Sequence, residues 1–150
     1  MKINIGKYPN HWPWSNWLFD KFGYSPEQKV KVHIDKWDTW SMDHTLAPII
    51  LPMLIQLKET KHGAPYVDPK DVPKELRPKL DFKDIKYDTD ETHFERWDWV
   101  LDEMIYAFDC KANKDDVFMR IDDQKEIKKE QKRISNGFRL FGKYYEALWD

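Results

Sequence analysis

The feature that most constrains this chain is the spacing of large apolar side chains between Thr92 and Asp109. Phe94, Trp97, Leu101, Met104 and Phe108 recur at 3-4-3-4 intervals, which gathers them on one face of an α-helix and on no single face of a strand. Such a stripe has to be covered by other apolar surface. Residues 123–149 repeat the pattern with Ile127, Ile134, Phe138, Phe141, Tyr145 and Leu148. A third segment, from an N-cap at Ser41 to about His62, carries Met42, Leu46, Ile49, Ile50, Leu51, Met53, Leu54, Ile55 and Leu57 around nearly its whole circumference. It is therefore expected to be the central helix, closed by Gly63 and Pro65. Pro48 and Pro52 lack the N–H groups that would bond the carbonyls of His44 and Pro48, so this helix is expected to kink there or to start near Ala47.

Ahead of these helices the periodicity changes. Ile3 to Tyr8 and Lys29 to Asp35 alternate in polarity, with Val30, Val32 and Ile34 set against Lys31, His33 and Asp35, the pattern of half-covered strands. Between them Ser15 can cap a short helix through Trp17, Leu18 and Phe22 that stops at Gly23. This stretch also holds Trp12, Trp14, Phe19 and Tyr24, aromatic surface expected to plug the core or to line a cleft. From Ala64 to Asp90 the chain carries Pro65, Pro69, Pro73 and Pro78 among charges. It reads as a long surface excursion with one helical turn near Lys74 to Leu76, and as a candidate lid. A polar loop from Lys111 to Asp123 precedes the last helix. The expected fold is mainly α, a helical bundle with a small N-terminal two-stranded β element, folded as one domain over residues 1–150. Its parts are 1–36, the kinked helix 37–63, the loop 64–90, and helices 91–109 and 123–149.

Charge and cysteine content narrow the function. With 25 Lys and Arg against 27 Asp and Glu, the net charge of −2 gives the whole molecule no field that would gather nucleic acid or an anionic membrane; any such contact has to be local. Neither is an expected partner. The single cysteine, Cys110, cannot close an internal disulfide or a zinc site, which fits a reducing compartment. The longest apolar run, Leu46 to Ile55, is ten residues with two prolines and is too short to span a bilayer. The N-terminus lacks the layout of a signal peptide.

Three constellations are candidates for chemistry. Glu91, Glu95, Asp98 and Asp102 are spaced i, i+4, i+7 and i+11 and fall within about 60° on a helix. Like charges so aligned repel, which points either to a magnesium ion held by Glu95, Asp98 and Asp102 or to facing lysines and arginines. Around Trp37 and Trp40, Asp43 projects toward the apolar face of the central helix and is expected to be buried beside His44, as a ligand grip or as an ordinary helix-start anion. On the last helix Lys125, Lys132, Asn136, Arg139 and Lys143 share a face that is either solvated or able to meet phosphate. No Gly-rich phosphate loop, HExxH, GxSxG or CxxC is present.

The strings WDTWSMDHTLA (Trp37 to Ala47), LKETKHG (Leu57 to Gly63), RWDWVLDEMIYAF (Arg96 to Phe108) and RISNGFRLFGKYYEALWD (Arg133 to Asp150) resemble a family of small bacteriophage proteins. The resemblance covers most of the chain from Lys29 on and supplies no catalytic residues. It implies the cytoplasm of a host bacterium, and by analogy a role against host defences. The leading expectation is a non-enzymatic protein, homo-oligomeric and without a cofactor, that binds a small anionic molecule such as a host signalling nucleotide. In it Trp37, Trp40 and Trp99 stack on the ligand, His44, Lys61 and His62 supply polar contacts, and Arg133 and Arg139 hold phosphate. The rivals are a magnesium-dependent nucleotide pyrophosphohydrolase built on Glu95, Asp98 and Asp102, and an inhibitor whose exposed aromatics cap a host protein.

Overall fold

Helix-period stripes become helices and alternating segments become strands in the computed structural model, which describes residues 1–6, 17, 21–22, 28–78, 90–113 and 123–149. The elements are β1 (Lys2–Ile5), β2 (Val30–His33), α1 (Met42–Thr60), α2 (His93–Asn113) and α3 (Gln124–Lys143), with 3₁₀ turns at Lys74–Leu76 and Tyr145–Ala147. The fold is mainly α with a small antiparallel β element. Of the expected aromatic-rich helix, Trp17, Lys21 and Phe22 are helical; Ser15, Leu18, Gly23, Trp12, Trp14, Phe19 and Tyr24 lie outside the described residues. Among the described residues no helix is long and apolar enough to cross a membrane. The chain divides into two compact units, Met1–Thr45 and Leu46–Asp150.

In the first unit β1 and β2 pair with Ile3 opposite Val32 and Ile5 opposite Val30. Paired residues share a face, so these four side chains make one apolar side, and Lys2, Asn4, Lys31 and His33 the polar one. Ile5, Val30 and Val32 are all exposed.

In the second unit the central helix is α2, not α1. Trp97, Val100, Leu101, Met104 and Ala107 are fully buried and Phe108 nearly so, whereas α1 buries only Ala47, Leu51 and Leu54. The remaining apolar residues of α1 outnumber what its neighbours cover, and Leu46, Met53 and Ile55 face solvent. Helix α1 runs unbroken through Pro48 and Pro52. Phe94, at the solvent end of the α2 stripe, is exposed too.

The proline-rich segment is not the expected surface excursion over its described part, 64–78. Val67 and Val72 are buried in the core beside Trp97 and Tyr144. The Asp68 N–H donates to Tyr144 Oη at 3.0 Å, tying this strap to the end of α3. Residues 79–89 lie outside the described part.

Helix α3 starts at Asp123, whose carboxylate accepts the Lys125 N–H at 2.9 Å, and it ends at Lys143 rather than running on to residue 149. The chain then tightens into Tyr145–Ala147, which turns Tyr144 into the core and leaves Tyr145 in solvent. Phe108 meets Phe138 and Phe141 edge-on at 5.1 and 4.9 Å between ring centres, a favoured aromatic geometry.

Gly137 fixes how closely α2 and α3 approach. A Cβ there would sit 2.3 Å from the Glu103 carbonyl oxygen and 2.6 Å from Ala107 Cβ, so the two backbones touch where any side chain would hold them apart. Gly137→Ala is therefore expected to destabilise the protein by about 2 kcal/mol or more in urea unfolding, despite alanine's better helix propensity. Gly142, where an added Cβ would meet nothing within 4 Å, is the control: Gly142→Ala should be neutral or stabilising by up to ~1 kcal/mol.

Candidate functional site

The first unit displays tryptophans from a turn that is bonded at nearly every residue. The Asp38 N–H donates to the Asp35 carbonyl at 3.0 Å and the Trp40 N–H to the Trp37 carbonyl at 3.1 Å. Asp35 Oδ1 accepts the Trp37 N–H at 3.2 Å, and Asp38 accepts the Asp35 N–H at 2.7 Å. Asp38 also receives the Met1 ammonium at 2.7 Å. That charge-assisted bond, followed by the one from the Asp35 N–H, holds the Asp38 carboxyl below the usual carboxylate range. The Thr45 hydroxyl closes the turn onto the Asp38 and Ser41 carbonyls at 3.0 and 3.1 Å.

Trp37 and Trp40 project from this frame 61% and 80% exposed. Their ring centres lie 5.8 Å apart with planes at 42°. A base sandwiched between two rings needs them parallel and about 7 Å apart, twice the van der Waals spacing; here the two indoles touch each other and leave no slot. The Lys36 ammonium lies 4.9 Å from the Trp37 ring centre, close enough for a cation–π contact. Met42 and Ile34 are exposed in the same unit.

Asp43 is not buried, contrary to expectation. It is 55% and His44 41% exposed, with His44 Nε2 3.7 Å from the carboxylate. Asp43 precedes the first buried residue of α1, Ala47, and stays in water at a helix start, where the dipole favours an anion.

The expected phosphate-holding cations of the second unit each face a carboxylate. Arg133 makes a forked contact with Glu103, Nη2 to Oε1 at 2.8 Å and Nε at 3.0 Å, and its guanidinium stacks 3.7 Å above the Tyr106 ring centre. The Tyr106 hydroxyl donates to Glu130. Arg139 lies 2.8 Å from Asp71 and donates to Asn136 Oδ1 at 3.0 and 2.9 Å. Lys61 Nζ is 2.5 Å from Asp98 Oδ1, a contact of proximity rather than of hydrogen-bond alignment, and donates to the Lys58 carbonyl. Trp99 packs half-buried against the core, and His62 is exposed.

The acidic stripe of α2 meets basic partners of its own. Lys58 donates to Asp102 at 2.5 Å, Lys61 neighbours Asp98, and Glu95 stays exposed. Among the described residues no three His, Cys, Asp or Glu side chains gather as a metal site would require. Asp98 and Asp102, two of the three carboxylates expected to hold magnesium, instead lie against Lys61 and Lys58.

Two charged networks escape a reading by periodicity, because their partners meet only in the folded chain. Arg96, 1% exposed, forks onto Asp90 at 2.7 and 2.9 Å and also donates to Thr92 Oγ1 and the Leu76 carbonyl. It thereby locks the end of the strap to the start of α2. At the middle of the strap Asp71 accepts from Lys143 at 2.6 Å and from the Tyr144 hydroxyl at 2.8 Å, beside Arg139. Burial alone would raise the Asp71 carboxyl, but bonds from Lys143, Tyr144 and Arg139 outweigh it and hold it low. Burial, and then the bond to Asp71, push the Tyr144 hydroxyl up to about 12. Arg96 lowers Asp90 in the same way.

No family model, curated protein or solved structure matches this chain.

The depressed carboxyls of Asp38, Asp71 and Asp90 contribute stability that is complete above the ordinary aspartate value of about 4 and is lost as pH falls below it toward their folded-state values. Thermal unfolding followed by circular dichroism should show Tm falling from pH 5 to pH 3. Asp71→Asn should lower Tm at pH 7 and flatten that fall; an unchanged slope would mean the acid sensitivity lies elsewhere.

Proposed function

We propose that this chain is a non-enzymatic binding protein whose N-terminal unit docks a partner protein through Trp37 and Trp40. The observation that carries the reading is the display of two largely exposed tryptophans in mutual contact on a hydrogen-bonded turn. Tryptophan is the residue that most often dominates interface energies, and it does so when it enters a partner's pocket and water is excluded around it. At these exposures, covering both rings removes on the order of 280 Å² of surface, worth about 7 kcal/mol before the cost of association. That supplies an anchor and not a complete interface, which needs about 800 Å² per partner. Ile34, Met42 and the exposed Ile5, Val30 and Val32 are further apolar surface in the same unit. The turn is already ordered, so little conformational entropy is lost on docking.

A pocket for a small anion has less support. Its cations, Lys61, Arg133 and Arg139, would have to abandon carboxylates within hydrogen-bonding distance, and Trp37 and Trp40 offer no gap for a base. The resemblance to small bacteriophage proteins makes a host protein the proposed partner class and inhibition by capping the proposed mode of action.

Affinity capture from a bacterial lysate, quantified by mass spectrometry, compares the wild type with Trp37→Ser/Trp40→Ser. A partner enriched by the wild type should fall at least ~10-fold with the double variant, which corresponds to about 1.4 kcal/mol, while Tm stays level because both rings already face water. An identical captured set would refute the docking role. Loss of a wild-type dimer in sedimentation with the same variant would instead assign the surface to a second copy.

A further inference from the structure

Helix α3 carries two sets of cations on the side turned away from α2, and the structure treats them differently. In the C-terminal half Arg139 and Lys143 are engaged by Asp71 and Asp68 of the strap. In the N-terminal half Lys125, Lys128, Lys129 and Lys132 are all exposed. They stand outside the other ion pairs among the described residues of the unit, which join Lys58 to Asp102, Lys61 to Asp98, Arg96 to Asp90 and Arg133 to Glu103. At 100° per residue the four lysines fall within an arc of about 100°, and they span about 10 Å of the helix axis. Every pair at three or four residues' separation along this stripe repels, and on the same helix Glu126, three residues before Lys129, relieves that repulsion only in part. Glu126 and Glu130 lie off the arc, and Glu130 is already bonded by Tyr106. The N-terminal end of the helix dipole adds positive potential at the same place.

The geometry points to this lysine stripe as a contact for the phosphate backbone of duplex nucleic acid, independent of base sequence and separate from the tryptophan turn. The side-chain chemistry selects the partner. In this half of the helix the arc holds lysines and no arginine, so it offers mobile point charges and not the planar forks that read base edges. It holds no aromatic side chain on which an unpaired base would stack. It holds no apolar side chain that would enter a membrane interface or form the dry centre of a protein interface. What is left is attraction to regularly spaced anions, the part of nucleic-acid binding that positions without specifying. The near-neutral charge of the whole chain confines such binding to this stripe.

Fluorescence anisotropy of a labelled mixed-sequence DNA duplex, titrated with the full chain, tests the assignment. With up to four phosphates neutralised, affinity should fall roughly 100-fold between about 50 and 200 mM salt, a log–log slope between about −3 and −4. Lys128→Gln/Lys129→Gln should weaken low-salt binding about 10-fold and flatten the slope by nearly 2. Lys70→Gln/Lys74→Gln removes the same charge at two other exposed lysines and should change affinity less than about twofold, since it removes no stripe contact. Circular dichroism should give the same spectrum for all three proteins. Absence of binding at low salt, or equal losses in the two double variants, would overturn the proposal. Displacement of the duplex by polyglutamate as readily as by unlabelled duplex would also overturn it, by assigning the stripe to acidic protein segments.

Discussion

The second unit depends on the contact between α2 and α3 at Gly137. With backbone atoms of Glu103 and the Cβ of Ala107 inside the space a side chain would fill, the helices close to a distance that only glycine permits. That closeness is what lets Arg133 reach Glu103 and lets Tyr106 reach Glu130 across the same seam. It also brings Phe108 against Phe138 and Phe141. A wider crossing would strand Glu103, which is buried and tolerable only while paired. Beyond the seam, Asp71 and Arg96 fasten the strap over Trp97, so that Val67 and Val72 complete the core.

Much of this architecture is legible in the sequence, and the exceptions share a cause. The spacing of Trp97, Leu101, Met104 and Phe108 predicts a buried helix, and α2 is one, because periodicity is a local property. The reading of α1 as central goes too far, since counting apolar residues says nothing about how many of them neighbours will cover. Leu46, Met53 and Ile55 answer that only in three dimensions. Val67 and Val72 sit among prolines and charges and look like loop residues until Tyr144 and Asp71 tie the strap down. Gly137, within an amphipathic helix, resembles a weak helix position until its partner helix is seen. A glycine with apolar residues close by on the same helix, as Ile134, Phe138 and Phe141 flank it, is the signal that would have marked a close crossing.

The candidate site shows the same division. Trp37 and Trp40 stand out in the sequence as clustered aromatics, but their exposure and mutual contact depend on the turn that Asp35, Asp38 and Thr45 build. Lys61, Arg133 and Arg139 look available for phosphate in a one-dimensional reading; each turns out to neutralise a carboxylate of the fold. The acidic stripe of α2 is likewise answered by Lys58 and Lys61. In the second unit the cations that a phosphate site would use are thus paired internally, while in the first Trp37 and Trp40 stand in water. That asymmetry is the physical basis for assigning recognition to the N-terminal unit.

The proposed docking of a partner protein belongs to the tryptophan turn and not to the packed helices of the second unit. Hydrogen–deuterium exchange, measured on the protein alone and with its captured partner, tests this directly. Added protection is expected in residues 28–45, with unchanged exchange through α2 and α3. Protection concentrated in α2 and α3, with the turn unaffected, would contradict it.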